Sequence, residues 1–327
     1  MSELPLRIPK MTLILTELSE AGIAMAADSL ITKTYPKSAK RPNEYVQWEK
    51  IVRVPRIKAA VSYWGEIGLI SGQERFDRWL KEQIDRAEYR DLPTFAAVLA
   101  DLLNSACNGK PAAKPIGIHV TGIHAGASDP IPSIIHVHNG HSHIRMIAKQ
   151  QVSEFALSNN PLQVTSLSAG TSVYVFPTGI PEIPKMVDFL RATQFAGARS
   201  VFEPEDEPRT LFKPYQDFPD CRLSRDQNLQ ILKNGFLTRN GDYAPFTIIA
   251  GALDMARVGL NSFPGISFPK HPGNLDARIT YLRFLMETLL KVQSNSSMER
   301  RIGGTIRCLG IRRTGTYYEK TAWAPRR

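Results

Sequence analysis

Hydrophobic positions concentrate early in the chain. Thr12 to Leu18 (TLILTEL) predicts a strand, Glu20-Ala21-Gly22 a turn, and Ile23 to Ala27 (IAMAA) a second, largely buried strand, together an opening hairpin. The polar stretch from Lys33 to Glu49 predicts a loop. Lys50 to Val54 and Ala59 to Tyr63 then predict two short strands around Pro55, the second ended by Gly65.

After Gly65 the period lengthens. From Glu66 to Glu88, Leu69, Phe76, Leu80 and Ile84 fall near one face of a helix. Leu92 to Cys107 predicts a second helix, stopped by Asn108-Gly109. Ile116 to Ile123 reads as a strand, and Ile134 to His138 with His143 to Ala148 as a hairpin across Asn139-Gly140. Val173 to Phe176 predicts a strand, and Pro181 to Gln194 and Pro245 to Val258 predict helices.

Residues 200–242 are rich in Pro, Asp and Glu without strong periodicity and read as an insertion or cap. From Asn274 to Gln293, Leu275, Ile279, Leu282, Met286 and Leu289 mark an amphipathic helix. Ile302 to Arg312 predicts a closing strand, with another at Tyr317 to Thr321. This order of strands, helices, strands, helices and strand predicts an α+β fold, with two sheets face to face and helices on both outer sides.

At 327 residues, 43% hydrophobic and 22% charged, the chain has the composition of a globular protein with a large core. No apolar run approaches the ~18 residues of a membrane span, and MSELPLRIPK has no leader pattern, so a cytoplasmic protein without membrane partners is expected. Cys107, Cys221 and Cys308 are odd in number and widely spaced, which fits free thiols in a reducing compartment. The net charge of +10 is spread out and accompanied by no nucleic-acid-binding motif, so nucleic acid is not the expected partner.

The candidate chemistry lies between Thr12 and Gly65. A threonine opens a strand as Thr12-Leu13-Ile14, and Gly22 follows ten residues on. Ala26-Ala27-Asp28-Ser29 with Thr32 comes next, then Lys50 and Gly65. This order resembles the proteasome β-subunit family of the N-terminal nucleophile (Ntn) hydrolases, whose chains open T-x-I and continue through A-A-D-S-x-x-T to a lysine and a glycine. The resemblance covers residues 12–108 and, in part, 299–313.

That likeness implies a four-layer αββα sandwich of the Ntn-hydrolase type and a threonine-type peptidase or amidohydrolase needing no cofactor. It also implies a peptide or protein substrate and a homo-oligomer, and leaves open an ATPase or other activator. Residues 1–11 would be a propeptide or a mis-assigned start, and residues 12–327 the hydrolase domain. Thr12 would be the nucleophile, its own α-amine acting as base with a reference pKa near ~7.7–8.0. Lys50 would favour the alkoxide, Asp28 would hold Lys50, and the Gly65 N–H would be the oxyanion donor. Thr32 would bind substrate backbone as an added strand, and Tyr63 and Ile67 would line the specificity pocket.

Met11 stands where such precursors usually carry glycine. Thr12 would be exposed by autolysis at Met11-Thr12, or by initiation at Met11 followed by removal of that methionine. Downstream, Glu299 would take the place of a supporting aspartate, while Ile302 in Ile302-Gly303-Gly304 lacks the expected hydroxyl. Thr178 would be the supporting residue before the third helix, with Ser168 a competing assignment. A non-catalytic scaffold or binding subunit of the same fold is the alternative function. Separately, His136, His138, His141 and His143 flank Asn139-Gly140. Alternation puts His136 and His138 on one face, where imidazoles could hold a metal; an exposed polar hairpin accounts for the sequence equally well.

Overall fold

The computed structural model describes residues 12–33, 44–65, 75–110, 116–125, 130–139, 163–168, 171–175, 211–219, 224–241, 273–295 and 302–321. Two strands open the fold, β1 (Leu13–Ser19) and β2 (Gly22–Ala27), and both are buried along their whole length. Gly22 turns the chain between them at φ +125°, where a Cβ would collide with the Ile311 carbonyl. β3 (Leu30–Lys33) ends where the polar stretch expected as a loop begins, and that stretch holds β4 (Glu44–Gln47), which pairs with β3 as a ribbon. Then come β5 (Ile51–Val54) and β6 (Ala59–Gly65), joined around Pro55 as predicted.

The two predicted helices are α1 (Phe76–Arg86) and α2 (Leu92–Ala106). Asp91 caps α2 by accepting from the Thr94 N–H, which satisfies one of the orphan donors of the first turn. Next are β7 (Ile116–Ala125), β8 (Pro130–His138), β9 (Gln163–Ser168), β10 (Thr171–Val175) and β11 (Lys213–Phe218). They are followed by α3 (Arg225–Asn234), with a Ser224/Gln227 capping box, and by β12 (Phe236–Gly241). Helix α4 (Leu275–Ser294) precedes β13 (Arg307–Arg312) and β14 (Tyr317–Thr321). The helices expected at 181–194 and 245–258 lie outside the described residues.

The strands form a seven-stranded sheet, β14-β13-β2-β1-β12-β10-β9, and a five-stranded sheet, β11-β8-β7-β6-β5. Every pairing between described strands is antiparallel. The chain is thus a mixed α+β protein built on antiparallel sheets.

Alternation along each strand decides which apolar cluster a side chain enters. Leu13, Leu15, Ala24 and Ala26 pack with Ile279, Leu282, Met286 and Leu289 of α4. Ile14, Leu18, Ile23 and Met25 turn the other way and meet Ile51, Ala60, Ile134 and Phe218 from the five-stranded sheet. Val52, Val61, Tyr63, Ile118 and Val137, on that sheet's opposite face, pack with Phe76 and Leu80 of α1 and with Phe95 and Leu99 of α2.

Three expectations are corrected. Part of the 200–242 stretch is integral to both sheets, since β11 forms the edge of one and β12 lies beside β1 in the other. β8 is flanked over Ile134 to His138 by β7 and β11, which replace the expected hairpin partner. The closing strand also starts later than predicted, at Arg307, because residues 302–306 pass over the end of β2 and bond to Asp28 and Ser29 instead.

Candidate active site

Asp28 follows directly on the last residue of β2, and its carboxylate is buried. An isolated buried carboxylate would be costly, so its partners define the site. Oδ1 accepts from Lys50 Nζ at 2.8 Å and from the Leu13 N–H at 2.9 Å. Oδ2 accepts from the Gly303 N–H at 3.1 Å and the Leu30 N–H at 3.3 Å. One side chain thereby ties together the start of β1, the start of β3, the approach to β13 and Lys50.

Thr12 is buried at the head of β1, one residue before the Leu13 amide that Asp28 accepts. The Asp28 N–H also donates to the Leu13 carbonyl at 3.2 Å, which fixes the residue that follows Thr12 from both sides. Lys50 is fully enclosed with its partner. Burial pulls its ammonium below the usual lysine range, against the opposing attraction of Asp28.

Gly65 closes β6 with φ +99° and pairs with Ile116. Since Ile51 lies opposite Ser62, Lys50 and Gly65 extend from the same end of the β5–β6 ladder. Gly304, at φ +76°, lets its loop approach β3: a Cβ there would collide with Ser29 Oγ. Ser29 Oγ in turn accepts from the Thr305 N–H at 2.8 Å.

A cleft of about 350 Å³ opens beside the pair, lined among others by Asp28, Lys50, Gln47, Glu49, Thr305 and Arg307. Thr12 does not line it. From its lining residues Glu49 and Arg307 a chain of alternating charges runs outward: Lys81 pairs with Glu49 at 2.5 Å, Glu49 with Arg307, Arg307 with Glu319 at 3.2 Å, and Glu319 with Arg53. Part of the basic excess is therefore compensated locally.

The other site residues fall in different places. Thr32 sits on β3 opposite Tyr45, in a ribbon that joins neither larger sheet among the described residues. Tyr63, expected to line a specificity pocket, is instead 0% exposed, with its ring edge on Phe76 and its hydroxyl donating to the Glu49 carbonyl at 2.7 Å. Burial, then the Asp77 and Glu49 carboxylates, push its phenol well above the usual range. Ile67, Thr178 and Glu299 lie outside the described residues, as does the side chain of Ser168. Ile302 is buried in the cluster under α4.

His136 and His138 are not on an exposed hairpin. His136 and His138 share a face as alternation requires, stacked 4.4 Å apart, but both are buried. His119 lies 5.1 Å from His136, and Trp64 and Tyr215 complete an aromatic row. Asn139 accepts from the Ile116 N–H at 2.8 Å. Among the described residues no group of three His, Cys, Asp or Glu is arranged to hold a metal; His141 and His143 fall outside them.

Compared with models of known protein families, the chain matches none, and a search of curated proteins finds no match. Sequence reading missed the Gly303 N–H on Asp28 and the hydrogen bonds that Tyr63 and Asp77 make to the Glu49 backbone. The first had a signal in Gly303-Gly304; the others had none, because they depend on how α1 and β6 meet.

Proposed function

We propose that the chain is a threonine-type N-terminal nucleophile hydrolase that cleaves peptide (amide) bonds once residues 1–11 are removed. The observation that carries this reading is the buried Asp28 carboxylate, which bonds at once to Lys50 and to the backbone next to Thr12. The three apolar clusters further support an αββα arrangement of the Ntn-hydrolase type.

The proposed chemistry uses few groups. The freed α-amine of Thr12 takes the hydroxyl proton as Oγ adds to the substrate carbonyl. The oxyanion is met by the Gly65 N–H, and the Lys50 charge favours the alkoxide. Collapse expels the leaving amine, which takes the proton, and water then hydrolyses the ester on Thr12. The β3–β4 ribbon, which joins neither larger sheet among the described residues, supports a substrate strand held by backbone hydrogen bonds near Thr32.

The test is labelling with an epoxyketone-type electrophile, which needs a hydroxyl and a free amine on one residue. The expected result is one adduct on Thr12, abolished by Thr12→Ala, in protein whose mass shows Thr12 at the N-terminus. Retention of the Met11–Thr12 bond in the natural protein would sink the reading. The buried Ile302, where a hydroxyl was expected, favours a second reading as a non-catalytic scaffold. An exposed Thr12 that takes no label would establish that alternative.

A further inference from the structure

Lys50 lies just before β5, so the β5–β6 ladder does not hold its backbone. Side chains of β6 and α1 hold the preceding residue, Glu49, instead. The Glu49 carbonyl, part of the peptide that carries Lys50, accepts from the Tyr63 hydroxyl at 2.7 Å. The Glu49 N–H donates to Asp77 Oδ2 at 3.1 Å. One residue earlier, the Trp48 N–H donates to the Ser29 carbonyl at 2.9 Å.

Tyr63 and Asp77 are themselves fixed. The Tyr63 ring meets Phe76 edge-on at 4.7 Å, and Phe76 precedes Asp77 in the first turn of α1. Arg75 Nε donates to Asp77 Oδ1 at 3.0 Å. Both Tyr63 and Asp77 are buried. Neither is hydrogen-bonded to Asp28 or Thr12; their shared hydrogen-bond partner is the Glu49 backbone.

We propose that Tyr63 and Asp77 are positioning residues: they clamp the Glu49 peptide groups so that Lys50 Nζ stays on Asp28 beside Thr12. Its catalytic meaning rests on the hydrolase reading above. The clamp also assigns a role to the start of α1, since a shift of its first turn is passed through Glu49 to Lys50.

The experiment uses the full chain with Thr12 exposed, and the variants Tyr63→Phe, which keeps the ring, and Asp77→Asn, which keeps the shape. Saturation kinetics of labelling by the epoxyketone separate binding from reaction. The expected result in both variants is a fall in the limiting rate on the order of tenfold to a hundredfold, with half-saturation changed less than about threefold.

In parallel, the Lys50 ammonium is titrated by NMR on ¹⁵N-lysine protein. Loosening the clamp hydrates Lys50, so its titration should move up towards that of free lysine. A Lys50 titration unchanged in both variants overturns the proposal, whether or not the labelling rate falls. If the unaltered protein takes no label at Thr12, the hydrolase reading fails, and the Lys50 titration alone decides the clamp.

Discussion

At the scale of the residue, the Asp28–Lys50 pair has the sharpest energetics. Both charges are out of water, and each depends on the other. Removing one partner strands a buried charge, at a cost of about 3–5 kcal/mol. Asp28→Asn should therefore lower the unfolding free energy in urea by about that amount. The double variant Asp28→Asn/Lys50→Met should recover most of the stability while remaining unlabelled by the electrophile, which separates fold from chemistry.

His119 gives a second test, in pH. Burial, with a smaller push from His138, lowers its imidazole from 6.5 to about 3. Between those values the unfolded chain binds a proton that the folded chain does not. Stability therefore falls as pH drops through that window, with a limiting slope of about 1.4 kcal/mol per pH unit. Urea midpoints between pH 7 and pH 4 should show this loss, and His119→Gln should flatten it. An unchanged slope in the variant would refute the assignment.

At the scale of the element, α4 was legible and β11 and β12 were not. The apolar stripe from Leu275 to Leu289 repeats on a helical period, and Asn274 caps it by accepting from the Ala277 N–H at 2.8 Å. Asn274→Ala should cost about 1 kcal/mol by urea denaturation, since one first-turn donor then loses its partner. KPYQDF and FLTRNG, by contrast, carry proline, charges and little alternation. Their extended state is imposed by β8 and β1, whose edges they complete. Propensity within the segment carries no trace of a partner about 80 residues away, as for β11, or about 220, as for β12.

At the scale of the whole molecule, the two sheets are tied together across their edges as well as through the core. Tyr317 of β14 donates to the Ala59 carbonyl at 2.7 Å and the Val54 carbonyl at 3.0 Å, both in the other sheet. Burial, outweighing the opposing effect of Arg53, pushes its phenol up to about 12. Tyr317→Phe should destabilise the fold by about 1–3 kcal/mol, because carbonyls are left without their donor while the ring still packs. The same variant should leave the labelling of Thr12 unchanged, since the tie is remote from Asp28 in the hydrogen-bond network.

Thr12, Asp28 and Lys50 were picked out by their resemblance to a family motif; sequence alone determined the opening strands and the three helices at α1, α2 and α4. Those features are local: period, caps and spacing within one stretch specify them. Tertiary structure decided what those residues meet. Gly303 reaches Asp28 from 275 positions away because β13 pairs with β2. Tyr63 turns from a pocket wall into a clamp on Glu49, and His136 and His138 are taken out of water. These outcomes depend on which faces the sheets present to one another, and such long-range packing leaves no periodic signal in the chain.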